Sequence, residues 1–127
     1  MTANGHDVDV LEGIARSVKP GGAVALSAFS AYFAVKYHDG AEFDADAGVS
    51  HEVTEVKNAS GQGIEVDLWT GCYTPRELRL LLGGVGLNVR SIASVEPGAY
   101  GNDAPTLESP EFLVIAFAPP LRRMGTR

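Results

Sequence analysis

Apolar residues recur at helical spacing near the start of the chain. Leu11, Ile14, Ala15 and Val18 share one side, while Glu12, Arg16 and Lys19 fall elsewhere. This predicts a helix over 7–18, with Asp7 or Asn4 available to cap it. Pro20-Gly21-Gly22 ends it, because proline cannot continue a helix and glycine accepts left-handed angles. Residues 23–29, AVALSAF, are then apolar at nearly every position, the pattern of a strand buried on both faces.

Residues 30–50 have no single period. Tyr32, Phe33, Val35 and Tyr37 precede the acidic run from His38 to Asp46, so a short irregular or helical piece and then a loop are expected. Residues 51–57 and 64–70 flank Asn58-Ala59-Ser60-Gly61-Gln62-Gly63, a hairpin signal with a long turn. In the second arm Ile64, Val66 and Leu68 alternate with Glu65, Asp67 and Trp69; the first arm alternates less cleanly and leaves the register open. Thr74-Pro75-Arg76-Glu77 is the strongest local signal. Thr74 caps, Pro75 suits the first helical position and Glu77 completes a capping box. Leu78, Leu81, Leu82 and Val85 form one stripe, and Gly83, Gly84 and Gly86 end the helix. A strand over 88–95, a loop over 97–110 and a buried strand over 111–118 follow, closed by Pro119-Pro120. Residues 1–127 read as one domain without repeats.

Composition narrows the function classes. The 10 basic and 16 acidic residues give a net charge of −6, which argues against nucleic acid. The only basic cluster, Arg122, Arg123 and Arg127, reads as a frayed tail. A lone cysteine, Cys72, excludes an intrachain disulfide. The apolar runs are too short to span a bilayer and nothing resembles a signal peptide, so a cytoplasmic location is expected. Asn58-Ala59-Ser60 is read as a turn, not a glycosylation site.

Three pieces, LEGIARSVKPGGAVAL (11–26), YTPRELRLLLGGVGLNVRSI (73–92) and SPEFLVIAFAP (109–119), occur in the order found in another family. The chain resembles the C-terminal, acceptor-side half of class I Rossmann-like S-adenosylmethionine-dependent methyltransferases. The resemblance implies an incomplete Rossmann-like α/β sheet: helix, strand, β-hairpin insertion at about 51–70, helix, strand, and an antiparallel last strand. Residues 23–29 and 88–95 would flank 111–118. The strand that pairs with 23–29 on its other side in the family has no counterpart, so that edge would pair with a second copy or with a separate cofactor-half protein. S-adenosylmethionine is implied as cofactor by resemblance only. The family's glycine-rich loop and ribose-binding acid have no match, and Gly83-Gly84-Val85-Gly86 ends a helix instead of opening one. Two functions stay open: the acceptor-side part of a small-molecule methyltransferase, or a non-catalytic dimerisation or binding module derived from one.

By the same resemblance the segment after the PGG strand lies near the acceptor, so Tyr32, Phe33 and Tyr37 are candidate substrate-binding residues or core. No catalytic or metal-binding residue is assigned. His38, Asp39, Glu42, Asp44 and Asp46 lack the alternation of a calcium loop and read as a solvated acidic loop. His51 with Glu52 or Glu55 would suit a general base, against the plainer reading of an exposed strand histidine. Cys72 reads as a buried structural residue.

Overall fold

The computed structural model describes residues 6–37, 41–96 and 99–120, with backbone alone at Ala99 and Tyr100. Asn4, His38, Asp39 and the basic tail lie outside the described residues. The elements run α1 (His6–Ser17), β1 (Ala23–Ser30), α2 (Ala31–Lys36), β2 (Glu42–Asp44), β3 (Val49–Lys57), β4 (Gly63–Tyr73), α3 (Pro75–Gly84), β5 (Asn88–Glu96), β6 (Ala99–Tyr100) and β7 (Glu111–Phe117).

Local chemistry places the helix ends. Thr74 Oγ1 accepts from the Glu77 N–H at 3.2 Å, and the Glu77 carboxylate accepts from the Thr74 N–H at 3.3 Å, so the capping box forms as expected. At the far end Gly86 takes φ +86°, Leu87 N–H donates to Leu82 O and Gly86 N–H to Gly83 O. This is a Schellman closure, with Leu82 and Leu87 both buried across it. Asp7 does not cap α1. It lies inside the first turn, where its Oδ2 accepts from the Tyr73 hydroxyl at 2.7 Å. The PGG turn is tied to the end of β7: Gly21, at φ +74°, donates to Ala118 O and Pro119 O, and Ala118 donates back to Gly22 O at 2.9 Å.

The seven strands form one sheet in the order β2-β3-β4-β1-β7-β5-β6. As expected, β7 runs antiparallel between β1 and β5, in register from Ala23↔Phe117 to Phe29↔Glu111 on one side. Val24, Ala28, Phe112, Val114, Ala116 and Ile92 point to one face, where Leu11 of α1 and Leu78 and Leu82 of α3 close the core.

The expectation that 23–29 is buried on both faces is corrected. Ala23, Ala25, Ser27 and Phe29 are exposed, alternating with the residues that face the helices. Among the described residues, no helix covers that second face beside Leu113, Ile115 and Phe117, which are half-exposed. The Arg90 guanidinium lies over the Phe117 ring at 4.7 Å.

The other edge of β1 is nearly bare. It pairs in parallel with β4 only at Phe29↔Cys72 and Ser30↔Tyr73, so Ala23 to Ala28 have no strand on that side among the described residues. The hairpin β3–β4 leaves the sheet at that point. Its register runs from Val49↔Gly71 to Lys57↔Gly63, and its turn is held by Asn58 Oδ1, which accepts from the Ser60 and Gln62 N–H groups.

Candidate functional site

β1 ends at Ser30, and the chain turns directly into α2. The Ser30 side chain accepts from the Phe33 N–H at 3.3 Å and caps α2, while the Ser30 N–H donates to Pro110 O at 3.0 Å. At this carboxyl end of β1 a cavity of about 310 Å³ opens between α2 and the hairpin. In open α/β sheets this end of the strands is where ligands bind. Phe29, Phe33 and Tyr37 wall it on one side, and Ser50, Glu52, Leu68 and Thr70 on the other, with Cys72 and Pro110 completing the lining.

The α2 wall is anchored from a distant loop. Lys36 Nζ and the Tyr37 hydroxyl both donate to the Glu108 carboxylate, one to each oxygen. The Lys36 and Tyr37 bonds hold the Glu108 carboxyl below its ordinary range, and the Glu108 bond raises both Lys36 and Tyr37. The Glu108 loop is itself held to the sheet. Ser109 Oγ, buried, donates to Ser94 Oγ at 2.6 Å and accepts from the Thr106 N–H at 2.9 Å. The Phe33 and Tyr37 rings lie 4.6 Å apart, tilted by 43°.

The hairpin wall follows from its register. Opposed residues share a face, so Ser50/Thr70, Glu52/Leu68, Thr54/Val66 and Val56/Ile64 lie on one side, and His51/Trp69 and Val53/Asp67 on the other. Glu52 therefore faces the cavity while His51 faces away from it. The His51 ring stacks on Trp69 at 3.7 Å and its Nε2 lies 2.9 Å from Asp67 Oδ1. His51 is thus paired with Asp67 rather than with Glu52 or Glu55. Cys72 is buried, its thiol pushed up by burial, and Sγ donates to Thr70 O at 3.5 Å.

Of the three aromatic candidates, Phe33 and Tyr37 line this cavity and Tyr32 does not. Tyr32 lines a separate one with Arg76, Arg79 and Leu107. Helical geometry separates them, since residues 33 and 37 are one turn apart and residue 32 points elsewhere. Sequence reasoning missed Leu68, Thr70 and Ser50 as lining. Only the clean alternation of the second arm hinted at them. It also missed Glu108, whose partners lie 71 and 72 residues away, beyond any local signal.

A second cavity, of about 280 Å³, fills the wedge where β4 diverges from β1 and is lined by Ser27, Ala28, Phe29, Trp69 and Tyr73. Tyr73 is buried, and its hydroxyl is raised by burial and then by Asp7. The Asp7 Oδ1 atom is buried with no hydrogen-bond partner among the described residues. Among the described residues no group of three or more His, Cys, Asp or Glu is placed to hold a metal ion. Asp44 Oδ1 instead accepts from the Asp46 and Ala47 N–H groups and closes a turn.

No protein-family model matches the chain, and no curated protein matches its sequence. Its fold does match solved structures. The CcbJ methyltransferase from Streptomyces caelestis aligns at TM-score 0.66 and 14% identity, over 87% of this chain and 52% of that one. An S-adenosylmethionine-dependent methyltransferase from Clostridium acetobutylicum aligns at TM-score 0.63 and 13% identity, over 88% and 50%. One from Methanosarcina mazei aligns at TM-score 0.57 and 16% identity, over 91% and 52%. The chain carries part of the class I methyltransferase fold and spans about half the length of the structures it matches. No helix among the described residues is long and apolar enough to cross a membrane.

The described residues do not by themselves form a cradle for S-adenosylmethionine. Such a cradle needs glycines where a strand opens into a helix, so that backbone approaches the ligand. The turns into α2 and α3 run Phe29-Ser30-Ala31 and Tyr73-Thr74-Pro75, without glycine, and Gly83, Gly84 and Gly86 lie at the closing end of α3.

Proposed function

We propose that this chain is the acceptor-side part of a small-molecule methyltransferase, and that the cofactor-binding part docks along the open edge of β1. One observation carries the reading. Among the described residues, a strand inside a seven-stranded sheet has no neighbour on one side over Ala23 to Ala28, beside a cavity at its carboxyl end. An unpaired apolar edge of that length is a site for strand addition. The wedge cavity adjoins the same edge, lined by Ser27, Ala28 and Phe29 of β1, so an incoming segment has space to fill. S-adenosylmethionine then belongs to the assembled protein, with its cradle supplied by the docked part.

The test is calorimetric titration of the chain with S-adenosylmethionine and S-adenosylhomocysteine. No stoichiometric heat is expected from the chain alone. Micromolar binding would mean that the chain builds the site itself and would overturn the division into two parts. The alternative, a non-catalytic dimerisation module, is favoured by the same bare edge. Sedimentation velocity with hydrogen exchange separates them: a stable dimer with every amide over 23–28 protected supports the module, and a monomer with alternate amides exchanging fast supports the acceptor-side part.

A further inference from the structure

We propose that the cavity at the end of β1 takes a small amine, bound as its ammonium ion between Glu52 and the aromatic rings of α2. This deepens the preceding reading and rests on the cavity being the acceptor site. The argument starts from the charge inventory. Among the described lining residues Glu52 is the only carboxylate and no cation is present; the others are aromatic, aliphatic, hydroxyl-bearing or the Cys72 thiol and Tyr37 phenol. It is half-buried, and no cationic side chain pairs with it among the described residues. Lys36, next to the lining residue Tyr37, is committed to Glu108. His51, the residue before Glu52, is turned to the opposite hairpin face and held by Asp67.

A half-buried carboxylate in a recess of aromatic, aliphatic and hydroxyl groups favours a ligand that brings a positive charge and N–H donors. The opposite wall adds Phe29, Phe33 and Tyr37, and aromatic faces attract cations but not anions. The Glu108 anchor on Tyr37 holds that wall in place before any ligand arrives. Leu68 and Phe29 would cover the hydrocarbon part of the ligand, and the Thr70 and Ser50 hydroxyls offer further acceptors. A carboxylate-bearing or phosphorylated ligand would meet Glu52 with no compensating cation among the described lining residues.

The probes are 2-phenylethylamine, its neutral isostere 2-phenylethanol and the anion 3-phenylpropanoate, each titrated into the chain with amide chemical shifts followed by NMR. The expected result is shifts centred on 29–37, 50–52 and 68–72, with the amine binding at least about tenfold tighter than the alcohol, the size of one charge-assisted contact. Glu52→Gln should erase that preference while leaving alcohol binding in place. Glu55→Gln, on the other hairpin face, should leave it unchanged. Equal binding of amine and alcohol to the unaltered chain, or a preference that survives Glu52→Gln, overturns the amine proposal and leaves the cavity as an acceptor site. Shifts that fall elsewhere, or none with any probe, overturn both.

Discussion

The two sides of β1 face different surroundings. Toward β7 it pairs at every residue from Ala23 to Phe29, and its even-numbered side chains lie under α1 and α3. Toward β4 it pairs at two residues, and the hairpin beyond exposes apolar side chains on both faces, with Trp69 61% and Val53 58% exposed. The same kinds of residue, valine, leucine and aromatics, thus form a core on one side and an uncovered surface on the other. Hydrophobicity does not make a core by itself; a second layer must cover it.

Mutations sharpen this contrast. Phe112→Ala removes a fully buried ring from the covered side and should cost about 3–5 kcal/mol in urea unfolding. Tyr73→Phe removes the hydrogen bond to Asp7 and should cost about 1–3 kcal/mol. It should also change the alkaline response. The Tyr73 hydroxyl is raised in the folded state, so its contribution is full below its ordinary value of 10.0 and is lost as pH rises above it. Urea melts at pH 9 and pH 11 should therefore show a smaller loss for Tyr73→Phe than for the unaltered chain. Thr74→Ala deletes the α3 cap and should cost about 1 kcal/mol. Val66→Ala, on the exposed hairpin, should stay within about 0.5 kcal/mol. A cost like that of Phe112→Ala would break the comparison, because it would mean that something covers the hairpin in solution.

The mildest effect is expected at Glu108. Its carboxyl is held low by Lys36 and Tyr37, so the anchor on α2 is present above the ordinary carboxylate value of 4.5 and is lost as pH falls through the lowered one. Tyr37 ring resonances should move in acid in the unaltered chain and should already be moved at neutral pH in Glu108→Gln.

The elements with local causes were legible in the sequence. The α3 cap and closure depend on residues within one turn, Thr74 with Glu77 and Leu82 with Leu87. The antiparallel place of β7 followed from the resemblance of the 109–119 run. The site is legible in part: Phe33 and Tyr37 stand out in the sequence after the β1 run, but Glu52 does so only as a candidate partner of its neighbour His51. That pairing fails for a geometric reason, because neighbouring residues on a strand point to opposite faces.

The apolar run AVALSAF shows where the limit lies. By itself it determined that residues 23–29 form a strand, since period and composition are local properties. How many of its faces are buried depends on which elements pack over them, and only the tertiary structure decided that α1 and α3 cover one. The cavity belongs to the same class of fact. It is made by α2, the hairpin and the 105–110 loop meeting at the end of β1, and no spacing within a single segment encodes a contact between residues 36 and 108.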